Sequence, residues 1–181
     1  MSNLNEDPDT VSVSRGVTMT FLKDHEFLSR VTITGDSDCE GLFVPFHWHE
    51  THDEVMRVVK GQLRISLGST SKIYSPEDGE VLIPRMTPHS LKSIEGVPTE
   101  FMERTIPMDD EKEVFFRNLL AGDGLNASIF HVMQTFYHGD TYPALPFHII
   151  WFEKAFTALF GYYIAPFLGY QLKYASSKRA R

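Results

Sequence analysis

Cysteine is almost missing: Cys39 is the only one in 181 residues. A single thiol excludes an intrachain disulfide framework and a cysteine-rich structural zinc site. Basic residues are the minority charge, 17 Lys and Arg against 24 Asp and Glu, for a formal net charge of −7. A nucleic-acid partner would usually need a basic face, so none is expected. The basic cluster at the end, KYASSKRAR, reads as a solvated tail. The start, MSNLNEDPDT, lacks the apolar run of a secretory signal, and KRAR at the end carries no lipidation or retention signal. These absences together predict a reducing, cytoplasmic setting. Long apolar runs are scarce, with one exception. Ala155 to Leu172 (AFTALFGYYIAPFLGYQL) holds 18 residues without a charge, the lower limit for a spanning helix. Pro166, two glycines and three tyrosines in that run favour a buried helix or a cover over a pocket. Membrane contact through 155–172 is the alternative.

What is present suits a soluble globular chain with a substantial core, at 42% hydrophobic residues. Residues 1–10 read as disordered. Val11 to Phe21 alternates apolar and polar residues at its start, as a half-buried strand does. Phe27 to Thr34 is a second strand, and GDSDCEG is a turn-rich break. Further short strands follow at close intervals as far as VPTEFMERTI, the pattern of a sandwich or closed barrel. After Pro107 the texture changes. MDDEKEVFFRNLLAGDG places acids ahead of an apolar stripe and a glycine stop, which predicts a capped helix. Residues 126–138 form a second helix, and His148 to Leu159 a third that breaks or kinks near Gly161 to Pro166. The expected organisation is a β-barrel over 11–107, a helical segment packed on it over 108–175 and a basic tail over 176–181.

The chemistry concentrates in Gly41 to Gly61, GLFVPFHWHETHDEVMRVVKG. Side chains at i and i+2 of a strand share a face, so His47 and His49 look into one space with Trp48 turned away. Thr51, His52 and Asp53 are turn-type residues, and Glu54 then opens a returning strand. Two imidazoles and one carboxylate on one side of a hairpin suit a divalent first-row metal. Farther on, His89 opens a strand after the turn Pro84 to Pro88. By itself it is open to two readings, a ligand or a satisfied surface residue.

Gly41–x5–His47–x–His49–x4–Glu54–x6–Gly61 resembles the first signature motif of the cupin superfamily at every marked position, and Pro84–x4–His89 resembles the core of the second. The resemblance covers about residues 35–107. It implies a mainly β fold, a double-stranded β-helix or jelly-roll barrel, to which this chain adds its C-terminal helical segment. It also implies a metal held by His47, His49, Glu54 and His89. The second motif departs from the pattern. Met86 stands where a glycine is usual, Ser93 stands where an asparagine is usual, and Gly79 lies one residue closer to Pro84. With Met86 there, the turn need not take a positive φ.

Four protein donors leave about two octahedral positions open, which suits Fe(II) first, with Mn(II), Ni(II), Co(II) or Zn(II) as alternatives. Strand parity places Phe43 and Pro45 beside the motif histidines, Met56 and Val58 beside Glu54, and Leu91 and Ser93 beside His89. That mostly apolar wall predicts a small, largely hydrophobic organic substrate. Candidate catalytic residues are Glu54, His52 in the turn, and Glu103 and Arg104. The last two face opposite sides of one strand, so one of them points inward. His25, His131, His138 and His148 read as surface or packing residues. The opposite face of the first motif strand, Val44, Phe46 and Trp48, needs a cover, either the helices or a second subunit, and a homodimer is expected.

Three functions fit these residues. The first is an Fe(II) oxygenase of the small cupin kind, similar to those of secondary-metabolite biosynthesis. The second is a non-redox isomerase, cyclase, dehydratase or lyase in which the metal polarises a carbonyl. The third, a ligand-binding module of the kind found in cupin regulators, is disfavoured because no helix-turn-helix candidate accompanies it.

Overall fold

Short strands separated by turn residues leave each sheet one apolar face to bury, and two such faces close on each other. In the computed structural model, residues 9–121 and 127–174 are described. They fall into two compact units, one spanning Asp9–Met108 and one from Asp109 onward. The first ten residues read as disordered lie mostly outside the described range, and so does the basic tail 176–181.

The first unit contains ten strands. They are β1 (Thr10–Ser14), β2 (Val17–Phe21), β3 (Ser29–Ile33), β4 (Phe43–Trp48), β5 (Asp53–Lys60), β6 (Leu63–Leu67), β7 (Thr70–Tyr74), β8 (Glu80–Ile83), β9 (His89–Ser93) and β10 (Thr99–Ile106). One antiparallel sheet runs β1-β2-β3-β10-β5-β8, and β4-β9-β6-β7 lie in the other. From β3 onward the chain crosses between sheets at almost every connection: β4 in the second, β5 in the first, β6 and β7 in the second, β8, β9 and β10 alternating again. That alternation is the winding of a jelly roll. The stretch Val11 to Phe21, read as one strand, is two. Arg15 and Gly16 turn the chain so that Ser14 faces Val17.

Register decides which side chains enter the barrel. Glu54, Met56 and Val58 of β5 face Thr105, Glu103 and Phe101 of β10, while Glu54 and Met56 also face Ile83 and Val81 of β8. Cross-strand partners share a face. All eight are buried, and they form the inner surface of the first sheet. On the outer side, Val55 and Met102 cluster with Phe27. In the second sheet, His89, Leu91 and Ser93 face Leu67, Ile65 and Leu63. Buried Leu91, Ile65 and Leu63 carry the apolar layer on that side.

The second unit is helical. α1 (Asp110–Leu119) starts at Asp109, whose side chain accepts from the Glu111 N–H at 3.1 Å. Asp110, Glu111 and Glu113 in its first turn complement the helix dipole. α2 (Ile129–His138) is capped by Ser128. The third helix, expected to break or kink near Gly161 to Pro166, does not break there. α3 (Ile150–Ala158) widens into a π-helical stretch, Leu159–Ile164, and continues as a final turn, α4 (Ala165–Phe167). The wider coil absorbs the proline without ending the rod. Asn118 ties down the far end of the unit: its amide donates to the Tyr174 carbonyl and its oxygen accepts from the Tyr174 N–H, both at 3.0 Å. No helix among the described residues is long and apolar enough to cross a membrane.

Gly61 ends β5 with φ +75°. A Cβ built there would lie 2.1 Å from the Pro98 carbonyl oxygen, so neither the backbone angle nor the space admits a side chain. Gly61→Ala is expected to lower unfolding stability by about 2 kcal/mol or more, read as a shift of the urea midpoint at unchanged m-value.

Candidate metal centre

The metal-ligand candidates come from three strands. His47 lies in β4, with His49 just past its end; Glu54 is the second residue of β5; His89 opens β9. His47 and His89 are register partners across β4 and β9, with ring centroids 4.2 Å apart. The His49 ring lies 5.1 Å from His47 and 5.4 Å from His89. Glu54 stands between two of the imidazoles. Its Oε1 is 2.9 Å from His49 Nε2, and its Oε2 is 3.0 Å from His89 Nε2. One donor atom from each of the four residues lies within 4.8 Å of every other.

Each ring is aimed by its other nitrogen. His47 Nδ1 lies 2.9 Å from the Pro45 carbonyl oxygen, and His89 Nδ1 lies 2.9 Å from that of Thr87. A carbonyl can only accept, so both Nδ1 atoms carry the proton and both Nε2 atoms present lone pairs. This is how metal-binding histidines are usually oriented. Two donors at right angles on one ion, each about 2.1 Å from it, lie about 3 Å apart. The two Glu54–imidazole separations match that spacing. The donor set, three imidazoles and a carboxylate, therefore fits a divalent ion.

The turn before His89 is fastened to the end of β4 and to the start of β5; these strands lie in different sheets, so the hairpin read from the sequence is a crossing between sheets. The Met86 N–H donates to the His49 carbonyl at 2.7 Å. Arg85 donates to Asp53 from its backbone N–H at 2.7 Å and from Nε at 3.0 Å. These bonds hold the Asp53 carboxyl below its ordinary range. Met86 takes φ +63°, the left-handed conformation that its side chain disfavours. The expectation that methionine releases this turn from a positive φ is thus corrected: the tether to His49 imposes the conformation whatever the side chain.

The remaining candidates divide. Met56, Val58 and Leu91 are buried on the inner faces. Phe43 is 59% exposed, and Pro45 is also exposed. Simple alternation fails there because β4 has a register shift between Val44 and His47. The extra residue changes the phase, so Val44 pairs with inward Leu91 while Phe43 pairs with Lys92. Of the face thought to need a cover, Trp48 is fully buried and Phe46 remains partly exposed. Ser93 acts on the scaffold: its Oγ accepts from the Leu42 N–H at 2.9 Å, beside the motif glycine Gly41. Of the Glu103–Arg104 pair, Glu103 shares Glu54's face and is buried. Arg104 points the other way and binds Glu80 at 3.0 Å. His52 is buried rather than solvated; it bonds the Thr51 hydroxyl at 3.0 Å and stands apart from the four-donor group.

The other histidines serve local structure. His25 Nδ1 accepts from the Phe27 N–H at 3.0 Å. His131 bonds the Asn118 carbonyl at 2.8 Å, His138 stacks edge-on against Tyr137, and His148 lies 3.0 Å from buried Glu153. Sequence reasoning missed Glu153. Its signal was weak, a lone acid in an aromatic run, where a charge must find partners to be buried.

Burial, with His89 and His49 close by, pushes His47 well below its ordinary value of 6.5. A depressed imidazole pKa favours the neutral form in the fold, so its stability is fully present above pH 6.5 and is lost as pH falls. The metal-free protein is expected to lose urea resistance between pH 7 and pH 5, and His47→Gln to flatten that dependence. Single alanine variants of His47, His49 and His89 are expected to lose at least about tenfold in metal affinity, by metal analysis of the purified protein. Their far-ultraviolet circular dichroism should be unchanged, since β4, β5 and β9 keep their ladders.

No family model matches the chain. It is 28% identical over 145 residues to an oxidoreductase of Arthrobotrys oligospora, covering 70% of this chain and 56% of that protein. It is 25% identical over 142 residues to an Aspergillus niger protein named "probable oxidoreductase yanE", covering 70% and 55%. The chain thus spans about half the length of the curated relatives it matches. Among solved structures, it is similar to KdgF from Halomonas (22% identity, TM-score 0.45, 60% of this chain and 95% of that one). It is similar also to the Cnp3 cupin domain of Schizosaccharomyces pombe (17%, TM-score 0.40, 51% and 66%). A third is the polyketide cyclase RemF of Streptomyces resistomycificus (19%, TM-score 0.38, 54% and 67%). The winding of the two sheets makes the first unit a jelly-roll barrel, the fold that the motif resemblance implies, with His47, His49, Glu54 and His89 converging inside it.

Proposed function

We propose that this chain is a metal-dependent cupin oxidoreductase, an Fe(II) oxygenase acting on a small, largely apolar organic substrate in a biosynthetic pathway. The observation that carries this reading is the His47–His49–Glu54–His89 donor set facing a mostly apolar interior. When bound, a divalent iron would supply open coordination positions and one-electron chemistry. The two relatives named as oxidoreductases support the redox class.

The residues of the chain do the rest. His47 is the least enclosed of the four donors, so the substrate is expected to arrive on its side. Met56, Val58, Leu91, Ile83 and Phe101 give the apolar surface that excludes water and orients a hydrophobic body. Glu103 places a second carboxyl on the inner face of the first sheet, two residues from Glu54's cross-strand partner Thr105. There it can hold or move a proton on the substrate.

Glu103 also favours a second reading, in which the metal polarises a carbonyl and the carboxyl shifts a proton without any net oxidation. Iron reconstitution followed by an oxygen-electrode assay over a panel of small phenols, enols and 1,3-dicarbonyls separates the two. Oxygen uptake matched to substrate loss supports the oxygenase; full-rate turnover under argon supports the non-redox enzyme. In either case Glu103→Gln is expected to retain its metal while lowering kcat by about 10²-fold or more. Val58→Ala, a smaller apolar side chain on the same inner face, should raise KM instead.

A further inference from the structure

The rod formed by α3, the π-helical stretch and α4 has its polarity reversed. Its buried positions recur every four residues: Glu153, Thr157, Gly161 and Ala165. None of them contributes aliphatic bulk. Gly161 approaches α2 so closely that a Cβ would lie 2.2 Å from the Met133 carbonyl oxygen. Glu153 is buried with its carboxylate accepting from the Leu145 N–H at 2.7 Å and lying 3.0 Å from His148 Nδ1. The bulk faces outward. Trp151 is 72% exposed, Phe167 87%, and Leu159, Tyr163 and Leu168 about half or more. Phe147, just ahead of the rod, is 94% exposed. A helix on the surface of a water-soluble protein buries its large apolar residues and shows water its small and polar ones. Here ten of the eighteen exposed large apolar side chains among the described residues fall between Phe147 and Leu168.

Charge separates the possible occupants of this face. From Tyr142 to Leu172 the charged residues are Glu153 and Lys154, and Glu153 is turned inward. No acid follows Glu153 to the end of the sequence, whereas Lys154, Lys173, Lys178, Arg179 and Arg181 do. In a chain of net charge −7, the charged residues Lys173, Lys178, Arg179 and Arg181 that follow the apolar face are thus all cationic. Trp, Tyr and Phe beside Lys and Arg is the composition of a segment lying in a membrane interface. The rod's 18 residues, Ile150 to Phe167, reach about 27 Å. With no described helix long and apolar enough to cross a bilayer, it would lie along the surface and not through it.

We propose that the outward face of this rod docks on an anionic lipid bilayer, with Trp151, Leu159, Tyr163 and Phe167 seated at the acyl boundary and Lys173 on the headgroups. The proposal is independent of the reaction in the barrel and needs no metal.

The test is flotation of the full chain with phosphatidylcholine vesicles and with vesicles containing 30% phosphatidylserine, at about 100 mM salt. The wild type is expected to float with the anionic vesicles, with Trp emission shifting to the blue. Trp48 is already fully buried, so the shift should vanish in Trp151→Phe. Trp151→Glu with Phe167→Glu alters only exposed positions; it is expected to cut flotation at least tenfold at unchanged Tm. Changing Lys173, Lys178, Arg179 and Arg181 to Gln should abolish the preference for phosphatidylserine. Wild-type protein that stays at the bottom of the gradient overturns the proposal, as does a double glutamate variant that floats equally well. A concentration-dependent dimer that dissociates in the double variant, without vesicle binding, would assign the face to a second copy instead.

Discussion

Everything in the barrel interior answers to one carboxylate. Glu54 is buried between His49 and His89, within hydrogen-bonding distance of both. Removing a charge from water costs several kcal/mol unless it is paired. Burial drives His47 toward its neutral form, so that ring supplies no balancing charge. A divalent cation would balance the carboxylate and take up the imidazole lone pairs together. The carbonyls of Pro45 and Thr87 make this arrangement stable by holding the Nδ1 protons away from the centre.

That centre exists because three strands from two sheets end at one place. β4 and β9 bring His47 and His89 opposite each other, and β5 brings Glu54 from the facing sheet. The turn from Pro84 to Pro88 joins the parts through Arg85–Asp53 and through the Met86 N–H on His49. Its left-handed Met86 stores strain of about 1 kcal/mol, offset by those bonds. The same geometry carries Glu103 inward and Arg104 outward, since Thr105 pairs with Glu54 and parity does the rest.

The helical unit solves a different problem. Glu153, Thr157, Gly161 and Ala165 let its rod pack closely on α2, and this sends the aromatic side chains outward. The proposed lipid surface would make use of that face. The two readings come from separate observations, the barrel from its donor set and the rod from its reversed polarity.

The types and spacing of His47, His49 and Glu54 were legible in the sequence, but β4 and β5 lie in different sheets, so Glu54 reaches the histidines through the tertiary fold and not through a hairpin. His89 was legible only through its motif, since its partner strand lies more than forty residues earlier. The first two helices after Pro107 showed themselves by their caps, whereas the continuity of the third through Pro166 did not show, because a π-helical widening has no sequence period of its own. Phe43 and Pro45 were placed inward by alternation, and a single register shift in β4 undid that. Which of Glu103 and Arg104 enters the barrel depended on pairing with β5, a contact between segments about fifty residues apart. The sequence by itself therefore determined the kinds of donor and their local spacing. The tertiary structure alone decided which faces point inward, since register and bulges are settled between strands and not within them.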